Sequence, residues 1–141
     1  MHSDGILNPT TETAVRERYG AVGGTAQTVV RSTTKAMSFD RSEYDERVTT
    51  DVISTAHEAL FGSLLEVMVG TAEEFDRWCD DHNHEVELIG SETVDNVVFH
   101  PVEFESVVVG ATYQQKERAA IETLRRHAFG KYYRPVIQKD D

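Results

Sequence analysis

The spacing of apolar residues changes near residue 64, and this change predicts a chain of two structural parts. Upstream of it, apolar residues recur at every third or fourth position, as at Ala26, Val30 and Met37, which is the period of an amphipathic helix. Downstream, short runs such as VVFH and VVVG are bounded by turn residues and are typical of strands. The pattern predicts a mixed α+β fold, in which N-terminal helices pack with a small mixed sheet and a C-terminal helix covers the sheet.

We expect one domain over residues 1–141, with a helical part at about 8–63 and a sheet part at about 64–135. In the helical part, Asn8 before Pro9 is a helix start, and the glycines that follow predict the end of that first helix. Asp40 and Glu43 have the spacing of a capping box, which predicts a further helix start. The predicted helix limits are Asn8 to Gly20, Gly23 and Gly24; about Ala26 to Met37; Asp40 onward; and about Thr50 to Gly62.

In the sheet part, residues 64–90 alternate between a strand, a helix and a second strand, which predicts a βαβ unit with a right-handed crossover. Thr71 and Glu74 predict the start of its helix. VVFH at residues 97–100 and FESVVVGATY at residues 104–113 predict a hairpin whose first strand is stopped by Pro101. The last helix is expected from about Gln114 to Phe129, with Gly130 as its stop.

Charge narrows the possible partners. The chain has 25 acidic and 14 basic residues, a formal charge of −11, and only four of its cations are lysine, which indicates a surface adapted to high salt. Such a surface disfavours binding to nucleic acid or an anionic membrane, since both require a basic face. No apolar run approaches the roughly 18 residues of a membrane span, and no leader is present, so we expect a soluble cytoplasmic protein.

The positive charge is concentrated at the C-terminal end. Residues 116–141 contain seven cations and four anions, whereas residues 1–115 contain seven cations and 21 anions. The favoured interpretation is a basic helix that packs against its own acidic body; the alternative is a patch for an acidic partner or RNA. Helical spacing places Arg118, Glu122 and Arg125 on one face, which weakens the RNA alternative because an acid lies among the bases.

The stretch WCDDHNHEVE, residues 78–87, combines a thiol, imidazoles and carboxylates. His82 and His84, with Glu87 or Asp81, could bind Zn²⁺ or Ni²⁺ if the turn brings them together. The favoured alternative is that the histidines are exposed or cap the end of the helix. Cys79, the single cysteine, is expected to be a small buried apolar residue, and no cofactor is required.

A second candidate site lies where the two predicted parallel strands end. If these strands are neighbours, Thr71, Ser91 and Asp95 share the carboxyl edge of the sheet, where α/β sheets bind ligands. Nearby glutamates disfavour a phosphate site there. A Ser91, Asp95 and His100 triad lacks the G-x-S-x-G elbow, and a local hydrogen-bonded turn is the favoured alternative.

Four segments prompt a family resemblance: RERYGAVGGTAQTVVR, RVTTDVISTAHEALFGSLLEVMVGT, GSETVDNVVFHPV and AAIETLRRHAFGKYYRP. Through them, from about Arg16 to Pro135, the chain resembles an uncharacterised haloarchaeal family of unknown function. The resemblance implies a cytoplasmic haloarchaeal origin and agrees with the acidic, lysine-poor composition. It implies no activity, cofactor or catalytic residue.

The favoured function is a non-catalytic binding or regulatory module that acts through protein contacts, including a homo-oligomer. Its candidate interface residues are Arg125, Tyr132, Tyr133 and Arg134. The tyrosines could equally pack back onto the domain. The rival hypothesis is a metal-dependent or small-molecule enzyme that uses His82 and His84 with the Thr71 and Ser91 edge, and it requires these groups to converge in a pocket.

Overall fold

A computed structural model describes residues 1–139 of the chain and has the expected mixed α+β architecture. In chain order the elements are β1 (His2–Asp4), α1 (Glu12–Ala36), α2 (Arg41–Arg47), α3 (Thr50–Ser63), β2 (Val67–Thr71), α4 (Ala72–Asp81), β3 (Glu85–Ile89), β4 (Asn96–Val102), β5 (Val107–Tyr113), α5 (Glu117–Ala128) and α6 (Arg134–Ile137). A π-helical segment, Phe129–Tyr133, joins α5 to α6, and a single 3₁₀ turn, Glu103–Glu105, joins β4 to β5. None of the helices in residues 1–139 has both the length and the apolar character needed to cross a bilayer.

The five strands form one mixed sheet in the order β1, β2, β4, β5, β3. β3 pairs with β5 in parallel, and the other neighbours pair antiparallel. β2 and β3 therefore run in the same direction, as the predicted βαβ unit requires, but β4 and β5 lie between them. This arrangement is a split βαβ unit, and the condition that its two strands are neighbours is not met.

The sheet has two buried faces. One face carries Val69, Val98 and Ala111 and packs in the main core with α1, α3 and α5. The other face carries Val97, Phe99 and Val108 and packs against Phe75 of α4. The predicted C-terminal helix thus covers one face, and the crossover helix covers part of the opposite one.

The glycines of the first helix do not end it, so that prediction is wrong. α1 runs without interruption from Glu12 to Ala36, with Thr11 rather than Asn8 as its N-cap. Gly23 lies where the His57 ring of α3 meets the helix, and a Cβ at Gly23 would lie 3.3 Å from that ring. Gly20 and Gly24 face open space. At Gly23 the missing side chain therefore allows close packing between helices.

Two predicted stops are also wrong. β4 continues through Pro101 to Val102, because its neighbour β2 stops pairing with it at Phe99 and no ladder bond to β2 is required beyond that point. Gly130 lies inside the π-helical segment and not in a left-handed cap, so the helical path continues from α5 to Ile137. The extra residue of such a segment rotates the side chains that follow it.

Candidate functional site

A cleft between α3 and α5 contains the arginines of the C-terminal segment. Its volume is about 620 Å³, which falls in the range of roughly 300–1,000 Å³ typical of ligand pockets. The arginines that line it are Arg118, Arg125, Arg126 and Arg134. The carboxylates that line it are Asp4, Glu58 and Glu122, and its apolar lining residues are Ala59, Gly62 and Phe129. The predicted common face of Arg118, Glu122 and Arg125 is confirmed.

Asp4 of β1 joins two of these arginines. Its Oδ2 accepts a hydrogen bond from Arg118 Nη2 at 2.9 Å, and its Oδ1 accepts one from Arg125 Nη2 at 2.8 Å. The bonds from Arg125 and Arg118 hold the pKa of the Asp4 carboxyl below its usual value. Asp4 therefore supplies the carboxylate that pairs with two guanidinium groups at this end of the cleft.

Arg125 is an internal residue. Only 8% of it is exposed, and it donates hydrogen bonds to the carbonyl oxygens of Leu65 and Asp4, both at 3.0 Å. These bonds and the Asp4 carboxylate compensate for the burial of its charge. Arg125 therefore fastens β1 and the end of α3 to α5 and shapes the cleft from within.

The outer arginines are more accessible. Arg134 Nε donates to Glu58 at 3.2 Å, and its guanidinium lies 5.2 Å from the centre of the Phe129 ring. The Arg126 side chain is exposed and makes no hydrogen bond or ion pair with any residue in the range 1–139. Because a guanidinium has five N–H donors, most donors of Arg118, Arg126 and Arg134 are unused by the protein.

The basic segment otherwise packs as the favoured interpretation predicted. Five of its seven cations form ion pairs with acids of the body. The pairs are Arg118 and Arg125 with Asp4, Lys131 with Glu87, Arg134 with Glu58, and Lys139 with Glu12. The prediction of a basic helix docked on its own acidic body is therefore confirmed.

The predicted metal residues occupy two separate places. His82 follows the end of α4, its Nδ1 donates to the Trp78 carbonyl at 2.7 Å, and its ring stacks on the indole with centroids 3.9 Å apart. His84 lies with its ring centroid 6.0 Å from that of His82, and its Nε2 is 3.2 Å from Glu103. Among residues 1–139, no three histidine, cysteine, aspartate or glutamate side chains are grouped as a metal site. Metal binding by His82 and His84 stays a prediction.

Glu87 belongs instead to a cluster with the C-terminal segment. Its carboxylate accepts hydrogen bonds from Lys131 and, at 2.7 Å, from the Tyr132 hydroxyl, and it lies 3.3 Å from His127 Nε2. Burial alone would raise the pKa of Glu87, but the Lys131, Tyr132 and His127 contacts outweigh it and lower that pKa. Glu87 therefore anchors the π-helical segment to β3.

The predicted sheet-edge residues are engaged in local contacts. The Thr71 hydroxyl accepts from the Glu74 amide at 3.1 Å, and Glu74 accepts from the Thr71 amide at 3.0 Å, which is the predicted capping box. Ser91 Oγ lies 2.8 Å from Thr93 Oγ1, and the Asp95 carbonyl accepts from the Ala72 amide at 2.6 Å. The two strand ends share one edge of the sheet, but two strands separate Thr71 from Ser91. Ligand binding at this edge stays a prediction.

The two candidate interface tyrosines point into different surroundings. Tyr132 is half-buried and contacts Glu87, whereas Tyr133 is fully buried and its hydroxyl lies 2.6 Å from His100 Nε2. His100 is 1% exposed, and its ring nitrogens bond to Glu66 and Tyr133 and to neither Ser91 nor Asp95 among residues 1–139, so those three residues do not form a triad there. Both tyrosines therefore pack back onto the domain, as the alternative interpretation predicted.

The fold and the arginine-lined cleft define a small α+β protein with a split βαβ unit. The chain belongs to the family of unknown function DUF5809, which matches it over residues 6–134. No curated protein and no solved structure matches the chain. The predicted resemblance to a family of unknown function is confirmed, and this family assignment supplies no activity.

Sequence reasoning found part of the cleft and missed the rest. The spacing of Arg118, Glu122 and Arg125 on α5 was a usable signal. Asp4 and Glu58 carried no signal, because they reach the cleft only once β1 joins the sheet and α3 packs beside α5. A strand of three residues is too short to show a periodic pattern.

Proposed function

We propose that the chain is a non-catalytic cytoplasmic binding module of a high-salt, haloarchaeal cell, and that its α3–α5 cleft binds an acidic segment of a partner protein. The observation that carries this proposal is the grouping of Arg118, Arg126 and Arg134 around a cleft of about 620 Å³ in a chain of charge −11. Guanidinium groups bind carboxylates in a two-pronged geometry that a diffuse positive surface does not provide.

The composition of the cleft favours a peptide segment over a free anion. Its lining combines guanidinium groups with the apolar surface of Ala59 and Phe129, so an acidic residue next to an apolar one would satisfy both parts. In molar salt the Debye length falls to about 3 Å, and charge then acts only at contact. Recognition in such a cell therefore rests on direct hydrogen bonds and shape, which the arginine forks supply.

The experiment uses a short fluorescent peptide in which aspartates surround one phenylalanine, and a second peptide with asparagines in place of the aspartates. We expect the aspartate peptide to bind and the Arg126→Glu variant to lose about tenfold in affinity, since hydrogen bonds to charged groups contribute about 1.5–3 kcal/mol. Fluorescence anisotropy measures the affinities in moderate and in molar salt.

Arg31→Glu is the matched control, because Arg31 is exposed on α1, lies outside the cleft and undergoes the same charge reversal. It should leave the affinity unchanged. Equal binding of the asparagine peptide, or equal loss in the two variants, would contradict the proposal. Competition by free acetate or phosphate at the concentration of the peptide would identify a small-anion site instead. Light scattering on the same samples tests the homo-oligomer hypothesis.

A further inference from the structure

A second surface, on the opposite face of the sheet from α5, has the features of a strand-binding site. β3 is the last strand in the sheet order and pairs only with β5. A groove of about 640 Å³ lies on the sheet face between α4, β3 and the loop after β3, and it reaches Val97 of β4 and Thr112 of β5. Its lining includes Phe75, Val86, Leu88 and Val94, with Asp76 and Glu92 among them.

The outer edge of β3, next to this groove, has free backbone hydrogen-bonding groups. The Glu85 amide donates to Ser106 at 2.8 Å and therefore points toward the β5 side. Because successive residues of a strand direct their amide and carbonyl groups to alternate sides, those of Val86 and Leu88 point to the open edge. Neither residue has a backbone partner on that side within residues 1–139. The residues with free backbone groups are thus the ones whose side chains line the groove.

The side chains indicate what kind of strand would fit. Val86 is 48% exposed, a high value for an apolar strand residue beside a groove. Asp76 and Glu92 form no ion pair or hydrogen bond with another side chain in the part of the chain that the structure describes. On the other face of the strand, Glu85 is exposed and also unpaired. An added strand would therefore meet apolar surface and acids on one face, and an acid on the other.

We propose that the free edge of β3 binds an extended segment of a partner protein that carries apolar and basic residues on its groove-facing side and a basic residue on its other side. Main-chain hydrogen bonds to Val86 and Leu88 hold such a segment. On the groove side its apolar residues enter the groove and its lysines or arginines pair with Asp76 and Glu92, and on the other side a lysine or arginine pairs with Glu85. This partner is distinct from the acidic segment proposed for the α3–α5 cleft.

A second copy of the chain fits this edge less well. Antiparallel pairing of β3 with itself would bring Glu85 and Glu87 next to the same acids of the other copy. Like charges directly opposite each other destabilise a strand pair, and each copy already carries a charge of −11. Charge complementarity therefore favours a cationic strand.

The probe is a labelled synthetic peptide in which pairs of lysines and pairs of valines alternate, so that each face of the extended strand carries both residue types, with a peptide of glutamate pairs and valine pairs as its counterpart. We expect the lysine peptide to bind and to slow hydrogen exchange at the Val86 and Leu88 amides, which is a signature of strand addition. Val86→Pro removes an edge amide that β5 does not use and should weaken binding about tenfold, whereas Val86→Thr keeps the amide and should preserve most of the affinity.

Two charge-reversal variants of α4 test the proposal independently if Val86→Pro does not fold. Asp76→Lys should weaken binding of the lysine peptide, and Asp80→Lys should not, because Asp80 is exposed on the same helix but does not line the groove. Arg126→Glu, in the other cleft, should leave this binding unchanged.

Three results would overturn the proposal. Equal affinity for the glutamate peptide would remove the charge argument, and absence of protection at the Val86 and Leu88 amides would place the peptide elsewhere. A concentration-dependent dimer that Val86→Pro converts to a monomer would show that the edge pairs with a second copy.

Discussion

At the scale of single residues, His100 and Tyr133 form a buried polar contact between the sheet and the C-terminal segment. His100 Nδ1 lies 2.5 Å from the Glu66 carbonyl, which can only accept, so this nitrogen carries the proton. Nε2 is then an acceptor, and the Tyr133 hydroxyl donates to it at 2.6 Å. The contacts therefore fix a neutral imidazole in one tautomer, and burial raises the pKa of Tyr133.

The pair makes stability depend on pH. Burial lowers the pKa of His100 from 6.5 to about 4, so between those values the unfolded chain binds a proton that the folded protein does not. The contribution of His100 to stability is therefore complete above pH 6.5, and the free energy of unfolding falls as the pH decreases toward 4. The shift corresponds to a loss of about 3 kcal/mol in total, at up to about 1.4 kcal/mol per pH unit.

Urea unfolding at several pH values above 5 measures this slope, and His100→Gln is the comparison. The variant should be less stable at neutral pH and should show a flatter dependence in this window. The carboxyls with lowered pKa, Asp4, Glu74 and Glu87, add their own loss only below their usual values of 3.8 and 4.5. An unchanged slope in His100→Gln would show that His100 does not cause it.

The sequence shows a histidine at position 100 and a tyrosine at position 133, but it does not predict that these two residues are hydrogen-bond partners. His100 follows an apolar run and Tyr133 follows a basic helix, and nothing local relates the two. Their contact depends on the π-helical segment, which turns Tyr132 toward Glu87 and Tyr133 toward His100. A rotation of this kind depends on tertiary packing, so helical periodicity alone could not predict it.

At the scale of elements, α1 shows that glycine does not always end a helix. Three glycines within five residues predicted a helix end, yet α1 continues because α3 packs along it. His57 stacks on Tyr19 with ring centroids 3.7 Å apart, and its Nε2 lies 2.5 Å from the Tyr19 carbonyl. Only Gly23 faces this contact.

Alanine substitutions test this assignment. Gly20→Ala and Gly24→Ala should each raise the free energy of unfolding by about 0.5–1 kcal/mol, because alanine loses less conformational entropy in a helix and nothing lies near the added Cβ. Gly23→Ala should give no gain, because its Cβ would press on His57. Thermal or urea unfolding compares the three variants. A full gain at Gly23 would mean that the His57 contact does not constrain α1.

Element type was easier to predict than element limits. The capped start of α4 and the apolar run of β5 were predicted from local chemistry, since a capping box and a buried valine run depend little on distant residues. Pro101 and Gly130 failed as stops because their consequences depend on neighbours. A proline disrupts a strand only where a ladder bond is needed, and a glycine ends a helix only where the chain turns away from its packing partner.

At the scale of the whole molecule, charge is separated between two surfaces. The α3–α5 cleft gathers the four arginines of the C-terminal segment, and the groove beside β3 carries unpaired acids on the other side of the sheet. The cleft also contains Asp4, Glu58 and Glu122, so its basic character rests on the unused donors of Arg118, Arg126 and Arg134. If both proposals hold, one module brings an acidic and a basic partner segment together.

The same charge governs stability in salt. With a formal charge of −11, the folded chain repels itself most strongly when screening is weak, and the Debye length shortens from about 30 Å at 0.01 M to about 8 Å at 0.15 M and about 3 Å at 1 M salt. The thermal midpoint should therefore rise with added potassium chloride, most steeply at low salt concentration.

A variant combining Asp45→Asn with Glu46→Gln removes two exposed acids of α2 that have no ion-pair partner in residues 1–139. It should unfold at a higher temperature than the parent in dilute salt. In molar salt the two proteins should unfold at nearly the same temperature, because the salt already screens the repulsion that the substitutions remove. A thermal midpoint that stays constant or falls with added salt would contradict the interpretation of the acidic composition as an adaptation to a saline cell interior. It would also remove the argument that the arginines of the cleft act through direct contacts in molar salt.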